Sequence, residues 1–470
     1  MDNQNKVKQP LYILGITIAL LYIISFIKVD YPIGNFQFRN VDIFSDIKID
    51  QDSDQPMNYL PEKFQVNKPV EASFSLFNLF GGIENDHAKA ENKSDYDAVY
   101  ITVQGKQVPI TGNTKQLSYF FDALKNAKTK QVRVAHFGDS AIEGDLITSD
   151  IREALQSKFG GAGVGWLGIV SQDITFRMTT KHTFSSNWET GALYTSNPHS
   201  LPLGISGECN VPKGNAWVQY ETTNAKKYLR DFTVARLFYA NAKNSQIYYS
   251  FDGGAKQTAT LKPGVAIQEL ILKPSGSARS IRIEFPTADQ AYFYGVSLEN
   301  GPGVYVDNFP LRGNTGVDLG SLDENILKGF SKFLDYKLII LEFGLNIAGT
   351  RSSDYSWYER EMTKVVNHFK EAFPKTSILM ISVHDKSMKR GSNFVTDPTI
   401  LKLIQAQKNI AKQADVAIWS LFDAMGGENS MPKWVDANPP LAFKDYIHFN
   451  DQGAKKVADL LTGSLLSLYK

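Results

Sequence analysis

Residues 134–145, "VAHFGDSAIEGD", decide the fold. The first half of this stretch is an apolar run typical of a buried strand, and the run stops at Gly138, Asp139 and Ser140. Small and acidic residues follow, and residues 146–159 then have the spacing of an amphipathic helix. A strand, a loop and a helix in this order predict the first unit of an α/β domain.

The same alternation returns near residue 300 and continues to the last residue. The apolar runs are "KLIILEF" (337–343), "SILMISV" (377–383) and "VAIWSLF" (416–422). Helical patterns follow the first two runs at residues 355–373 and 398–414. A last helical pattern begins at a cap, Asn450 or Asp451, and continues to Leu468. Near-continuous apolar strands are typical of a parallel sheet covered on both faces. We therefore predict a three-layer, doubly wound α/β domain built from residues 112–170 and 301–470.

Residues 171–300 have a different character. Five aromatic and β-branched segments alternate with turn residues: "FTVARLFYA", "QIYYSFDGG", "AIQELILK", "SIRIEFP" and "AYFYGVSLEN". This pattern predicts an all-β sandwich or jelly roll inserted into the α/β domain. The aromatic side chains of the insert either stack on sugar rings or fill the core of the sandwich. They are Trp217, Tyr220, Phe238, Tyr239, Tyr248, Tyr249, Tyr292, Phe293 and Tyr294.

Residues 11–28 form a candidate transmembrane anchor. Residues 11–27, "LYILGITIALLYIISFI", contain no charged residue, and as a helix they would extend roughly 26 Å, close to the lower limit for a bilayer. The following "SFIKVDYPIG" lacks the small-residue site of a cleaved signal peptide, and a buried core helix would have a polar face. We expect a single-pass protein of the cytoplasmic (inner) membrane. Residues 1–10 would be a cytoplasmic tail, residues 29–111 a stalk, and the remainder would be periplasmic or extracytoplasmic.

Composition limits the possible partners. The 470 residues include 50 Lys+Arg and 49 Asp+Glu, a formal net charge of +1, so no basic field exists to bind nucleic acid. Cys209 is the single cysteine, which excludes an intrachain disulfide.

The stretch "GVGWLG" matches the letters of a dinucleotide-binding fingerprint, but a helix precedes it, so we interpret it as a turn. We expect neither a metal ion nor a cofactor.

Ser140 is a candidate nucleophile because it follows the carboxyl end of a predicted strand, where doubly wound sheets bind ligands. A serine is a weak nucleophile unless a base held by a third group activates it. In "KDYIHFNDQG", Asp445 precedes His448 by three residues, so the carboxylate can hold one ring nitrogen while the other faces Ser140. His384, at the end of "SILMISV", is the competing base. His136, inside the first strand, is expected to be a core residue.

Hydrolysis through a serine also needs hydrogen-bond donors for the oxyanion. Gly316 in "LRGNTGVD" and Asn346 in "LEFGLNIAG" can supply them beside the backbone N–H of Ser140. Gly313 and Gly204 are weaker candidates for the glycine. Each loop taken singly fits an ordinary strand-to-helix turn. Together, in the order Ser, Gly, Asn, Asp and His, the loops indicate a catalytic site.

The blocks "FGDS", "NTG", "GLN" and "DYIH" resemble the four signature blocks of the GDSL/SGNH hydrolases, in the same order. The resemblance covers residues 115–170 and 300–470 and implies an enzyme that hydrolyses ester bonds. It implies the roles of nucleophile for Ser140, base for His448, orienting acid for Asp445, and oxyanion donors for Gly316, Asn346 and the Ser140 N–H. The chain departs from the usual serine block because Ala141 stands where a leucine is common.

The domain order narrows the resemblance. An SGNH domain interrupted by a β-sandwich, behind an N-terminal anchor, is similar to bacterial peptidoglycan O-acetylesterases, whose insert resembles a carbohydrate-binding module. The implied function is a serine carbohydrate esterase that removes O-acetyl groups from a cell-envelope polysaccharide such as peptidoglycan. Three alternatives stay open: a polysaccharide O-acetyltransferase that works with a membrane-bound O-acyltransferase, a lipase or thioesterase, and a non-catalytic glycan-binding protein.

Overall fold

The computed structural model describes residues 105–470, except residues 173, 175, 196, 244, 287–290 and 350–353. The predicted anchor at residues 11–28, the tail before it and nearly all of the predicted stalk lie outside the described residues. Within the described part of the chain, no helix combines the length and the hydrophobicity that a membrane span requires.

The secondary structure follows the order predicted from the periodicity. The strands are β1 (Thr111–Gly112), β2 (Gln131–Gly138), β3 (Gly165–Leu167), β4 (Thr180–Phe184), β5 (Trp188–Ala192), β6 (Glu208–Pro212), β7 (Ala216–Thr222), β8 (Val234–Ala240), β9 (Gln246–Phe251), β10 (Gln257–Thr260), β11 (Gln268–Leu272), β12 (Ser280–Phe285), β13 (Tyr292–Glu299), β14 (Gly303–Pro310), β15 (Tyr336–Glu342), β16 (Ser377–Ile381), β17 (Ser387–Arg390), β18 (Asn393–Thr396) and β19 (Ala417–Trp419). The α-helices are α1 (Ser118–Leu124), α2 (Thr148–Phe159), α3 (Glu324–Leu334), α4 (Ser356–Ala372), α5 (Thr399–Gln413), α6 (Leu421–Met425), α7 (Ser430–Val435) and α8 (Asp451–Ser467).

A six-stranded sheet organises the α/β part, with the order β1–β19–β16–β15–β2–β14. Every neighbouring pair is parallel except β1 with β19. Successive side chains of β2 point to opposite faces: Phe137 joins the core that includes Phe369 of α4, whereas Val134 joins the core that includes Leu461 of α8. Helices therefore cover both faces, and the predicted α/β fold with a parallel sheet is confirmed.

Two antiparallel sheets lie between α2 and β14 in the sequence. One has the order β10–β9–β12–β7–β4, and the other has the order β11–β8–β13–β6–β5 with β3 added against β13. Val218 and Ile283 of the first sheet share a core with Leu237 and Val296 of the second. Each of the five segments predicted as strands contains one.

The aromatic side chains of this region differ in burial. Tyr220, Phe238, Tyr239, Phe293 and Tyr294 are buried. The remaining four are half-buried: Trp217, Tyr248, Tyr249 and Tyr292. Filling of the core therefore accounts for the first five.

Two local features differ from the sequence-based expectation. "GVGWLG" contains β3 instead of a simple turn. The Trp166 ring fits there because Gly295 has no side chain, since a Cβ on Gly295 would lie 2.5 Å from the ring. The predicted strand at residues 416–422 ends at Trp419, because the Ser420 hydroxyl accepts a hydrogen bond from the Asp423 N–H and caps α6. The predicted cap of the last helix is confirmed at Asn450.

A buried charge cluster, formed by Arg133, Glu299 and Asp307, joins β2, β13 and β14. Arg133 Nη1 lies 2.6 Å from Glu299 Oε1, and its Nη2 lies 2.8 Å from Asp307 Oδ2. Burial raises the pKa of Glu299, but Arg133 and Arg236 outweigh it and hold that pKa below the usual range. Arg133 thus compensates the charge of both carboxylates, and Arg236 shares that role at Glu299.

Candidate active site

The turn that carries Ser140, the predicted nucleophile, begins where β2 ends; we call it the nucleophile turn. Gly138 has no room for a side chain, because a Cβ there would lie 2.9 Å from Ile142 and 3.1 Å from the Glu342 carbonyl oxygen. The Asp139 carboxylate accepts a hydrogen bond from the Ala141 N–H at 3.0 Å and shapes the turn. Ser140 then begins a 3₁₀ segment, Ser140–Asp145, and remains half-buried beyond the carboxyl end of β2.

The loop before α8 places an imidazole against this serine. His448 Nε2 lies 3.1 Å from Ser140 Oγ, and His448 Nδ1 lies 2.7 Å from Asp445 Oδ2. Asp445 Oδ1 also accepts from the N–H groups of Ile447 and His448, at 2.9 and 3.0 Å. Because a carboxylate only accepts, we assign the Nδ1 proton to this contact, which leaves Nε2 able to accept from the serine hydroxyl.

The Asp445 carboxylate is held in its charged form. Partial burial raises its pKa, but the hydrogen bonds from the His448 ring and from the backbone N–H groups of Ile447 and His448 outweigh that effect. The pKa of Asp445 therefore lies below its ordinary value, and the group can stabilise an imidazolium at neutral pH.

Two further histidines, His384 and His136, have different surroundings. His384 is buried, its Nε2 lies 2.8 Å from the Ile447 carbonyl oxygen, and its ring packs on Phe449. Burial lowers the pKa of His384 to about 4, so it is neutral and supports the loop that carries His448. His136 is fully buried, with Nε2 3.0 Å from Glu342 Oε2, as expected of a core residue.

Hydrogen bonds connect the three predicted oxyanion loops. Asn346 Nδ2 donates to Asp139 Oδ2 at 3.1 Å and to the Asn314 carbonyl at 2.9 Å. The Gly316 N–H donates to Asn314 Oδ1 at 2.7 Å. Both predicted donors thus lie in one network with the residue before Ser140. To hold an oxyanion, they would have to exchange these protein acceptors for it.

Gly316 needs to be a glycine at this position. Its φ is +91°, and a Cβ would come within 2.9 Å of the Phe343 ring. The weaker candidates have other surroundings: Gly313 has nothing near its Cβ direction, and Gly204 donates its N–H to the Glu208 carbonyl at 2.8 Å.

Sequence reasoning missed the bridging residue Asn314. An asparagine two residues before a turn glycine is a signal for an Asx turn, so this contact had a local pattern. The position of Glu342 near Asp139 had no such signal.

Among the described residues, no group of three or more His, Cys, Asp or Glu is arranged to hold a metal ion.

Asp139 should make the stability of the protein depend on pH. Burial is the main cause that raises its pKa to about 7, and Glu342 adds to it, although the Ala141 N–H opposes them. The unfolded chain releases this proton near pH 4 and the folded chain near pH 7, so this contribution to stability is lost as pH rises across that window.

The wild type should therefore lose free energy of unfolding between pH 5 and pH 8 that Asp139→Asn does not lose. The difference between the two proteins should shift in favour of Asp139→Asn by about 2 kcal/mol from pH 5 to pH 8. Urea unfolding of both proteins at the two pH values measures this difference. Asp335→Asn is the control, because the Asp335 side chain is 74% exposed, and it should show no such change. An equal offset at both pH values for Asp139→Asn would contradict the raised pKa.

Comparison with solved structures gives a likeness in fold. No family model and no curated protein matches the sequence. A peptidoglycan O-acetylesterase superposes with a TM-score of 0.62 and 20% identity over 77% of this chain and 99% of that chain. A family two carbohydrate esterase from Cellvibrio japonicus has a TM-score of 0.26 and 10% identity over 62% and 98% of the two chains. A GDSL-like lipase from Parabacteroides merdae has a TM-score of 0.27 and 14% identity over 35% and 72%. The resemblance predicted from the four sequence blocks is confirmed at the level of the fold, which this chain shares with a peptidoglycan O-acetylesterase.

Proposed function

We propose that the protein is a serine esterase that removes O-acetyl groups from a cell-envelope polysaccharide such as peptidoglycan. The observation that carries the proposal is the continuous arrangement of Asp445 Oδ2, His448 and Ser140 Oγ, with contacts of 2.7 and 3.1 Å. The shared fold with a peptidoglycan O-acetylesterase supports it.

Acylation would proceed through the serine oxygen. His448 Nε2 takes the hydroxyl proton as Ser140 Oγ attacks the acetyl carbonyl carbon, and Asp445 stabilises the imidazolium. The imidazolium then gives its proton to the sugar oxygen, which leaves as a free hydroxyl. The acetyl group remains on Ser140 as an ester.

Deacylation would repeat these steps with water. Nε2 takes a proton from the attacking water and then gives it to Ser140 Oγ as the tetrahedral intermediate collapses, which releases acetate and regenerates the serine hydroxyl. In each step, the Ser140 N–H, the Gly316 N–H and Asn346 Nδ2 would donate to the oxyanion. Asn314 and Asp139, the present acceptors of the last two, would keep those donors oriented between turnovers.

The proposal includes the placement of the enzyme in the cell. Residues 11–28 would anchor it in the cytoplasmic membrane as a single pass, residues 29–111 would be the stalk, and residues 171–300 would form an inserted β domain that faces the glycan. The uncharged run at residues 11–27 supports the anchor. A membrane-bound O-acyltransferase is the proposed partner only if the acyl group is transferred to a sugar.

Free acetate is the product that tests the proposal. The purified protein is incubated with O-acetylated peptidoglycan and with an unacetylated glycan acceptor, and acetate and acetylated acceptor are both measured. We expect acetate without acetylated acceptor. Acetylated acceptor as the main product would replace the esterase proposal with the transferase. With aryl esters of increasing chain length, kcat/KM should be highest for acetate, and a preference for long chains would favour the lipase alternative.

A further inference from the structure

A small cavity of ≈ 50 Å³ lies beside the nucleophile turn. It is lined by Glu143, in the 3₁₀ segment that Ser140 begins, and by Pro310, which pairs with Gly138 across the sheet. Neighbouring strands are about 4.8 Å apart, so the cavity wall is one strand away from the strand that leads to the nucleophile. The exposed residues Gln172 and Arg312 also line the cavity, which therefore opens to the surface.

Three residues that line this cavity carry buried polar atoms without a hydrogen-bond partner among the described residues. The atoms are Trp166 Nε1, Ser206 Oγ and Asn308 Oδ1. The three residues are only 2%, 8% and 4% exposed. A buried polar atom without a partner costs about 1–3 kcal/mol, so a ligand that satisfies several of them binds favourably.

The amide of Asn308 has a definite orientation. Its Nδ2 donates to the Ile142 carbonyl oxygen at 3.0 Å and to Thr148 Oγ1 at 2.9 Å. A carbonyl oxygen only accepts, so the nitrogen must face Ile142, and the unpartnered atom is the oxygen. The residues that line the cavity thus include an acceptor without a partner on Asn308 and a donor without a partner on Trp166, whose indole N–H cannot accept.

We propose that this cavity is a substrate subsite for the acetamido group of an N-acetylated sugar, a proposal that rests on the esterase function above. The amide oxygen of the ligand accepts from Trp166 Nε1, and its N–H donates to Asn308 Oδ1. An acetamido group has four non-hydrogen atoms, and the cavity has room for about four water-sized groups. Leu167 and Phe309 in the lining provide apolar surface for the methyl group.

The same pair of atoms discriminates against other groups of the glycan. An O-acetyl ester has no N–H, so it would leave Asn308 Oδ1 without a donor. The scissile acetyl group therefore has no preference for this cavity. A hydroxymethyl group can both donate and accept, but it has no methyl for the apolar part of the lining.

The test is a selectivity ratio measured on the whole protein. The ratio divides kcat/KM for acetate release from an O-acetylated chito-oligosaccharide by that for an O-acetylated cello-oligosaccharide of equal length, which lacks acetamido groups. We expect a wild-type ratio of about ten or more, and Trp166→Phe should lower it about tenfold through the loss of one hydrogen bond. Trp419→Phe is the matched control, because Trp419 Nε1 donates to Ser464 Oγ, and it should keep the wild-type ratio.

A wild-type ratio near one, or a ratio that Trp166→Phe leaves unchanged, would mean that the cavity holds solvent only and would overturn the subsite. The esterase proposal would survive that result, since acetate is still released from both glycans. If neither glycan releases acetate, the proposed function fails, and the subsite fails with it.

A binding measurement avoids any dependence on turnover. In a ¹H–¹⁵N spectrum of the wild-type protein, the indole signal that is missing from Trp166→Phe identifies Trp166 among the six tryptophans. This signal should shift when N-acetylglucosamine is added and stay in place when glucose is added. An equal shift with both sugars, or no shift with either sugar at high concentration, contradicts the assignment of the cavity to the acetamido group.

Discussion

Ser140→Ala should lower kcat for acetyl ester hydrolysis by about 10⁴-fold or more. The variant retains the Asp445–His448 pair and the loops of Gly316 and Asn346, but it has no oxygen to form the acyl intermediate, and removal of a triad member has effects of this size in serine hydrolases. Steady-state hydrolysis of an aryl acetate measures the loss. Labelling by a fluorophosphonate, which reacts with activated serines, should disappear in parallel.

Ser331→Ala is the matched control for this experiment. Ser331 lies on α3, and its hydroxyl donates to the Lys328 carbonyl at 2.8 Å within the same helix. Its replacement should leave kcat and labelling at the wild-type level, and thermal melting of both variants checks that they are folded. Hydrolysis by Ser140→Ala at more than a tenth of the wild-type rate would remove this serine from the mechanism.

Arg133→Met should lower the free energy of unfolding by about 3–5 kcal/mol. Met has a similar length but no charge, so Asp307 would remain buried without the Arg133 cation, and Glu299 would keep only Arg236. Urea unfolding at pH 7 measures the loss. The deficit should shrink as pH falls, because Arg133 helps to hold the pKa of Glu299 below its usual range, and protonation of Glu299 removes the charge that the guanidinium stabilises.

Arg360→Met is the control for the charge cluster. The Arg360 side chain is 61% exposed and pairs with Glu361, the next residue on α4. Solvent already screens such a pair, so the free energy of unfolding should stay nearly unchanged. A similar small effect for Arg133→Met would show that the cluster is not a determinant of stability.

The proposed catalytic pair, Asp445 and His448, could be predicted because its geometry is local. Asp445 and His448 are three residues apart, and the turn between them forms through hydrogen bonds from Ile447 and His448 to a single carboxylate oxygen. The position of Ser140 followed in the same way from the end of an apolar strand. Local residue types and spacing carry this information, and a sequence pattern can detect it.

The roles that depend on tertiary contacts could not be predicted. His384 competes with His448 on sequence grounds, and burial of its ring, which excludes it as a base, results from packing against Phe449 and the Ile447 carbonyl. The link from Asn346 to Asp139 spans 207 residues and has no local signature. The three-residue strand β3 was missed for a related reason, since its pairing with β13 comes from a distant segment.

The position of β2 between β15 and β14 in the parallel sheet has a consequence for biosynthesis. Its partners β14 and β15 are translated long after it, as the separation of 174 residues between Arg133 and Asp307 shows, and His448 follows Ser140 by 308 residues. A growing chain must therefore keep this apolar strand shielded while some hundred and seventy further residues leave the ribosome. Such long closures make assembly slow, so the proposed esterase activity should appear only after α8, which follows His448, has docked.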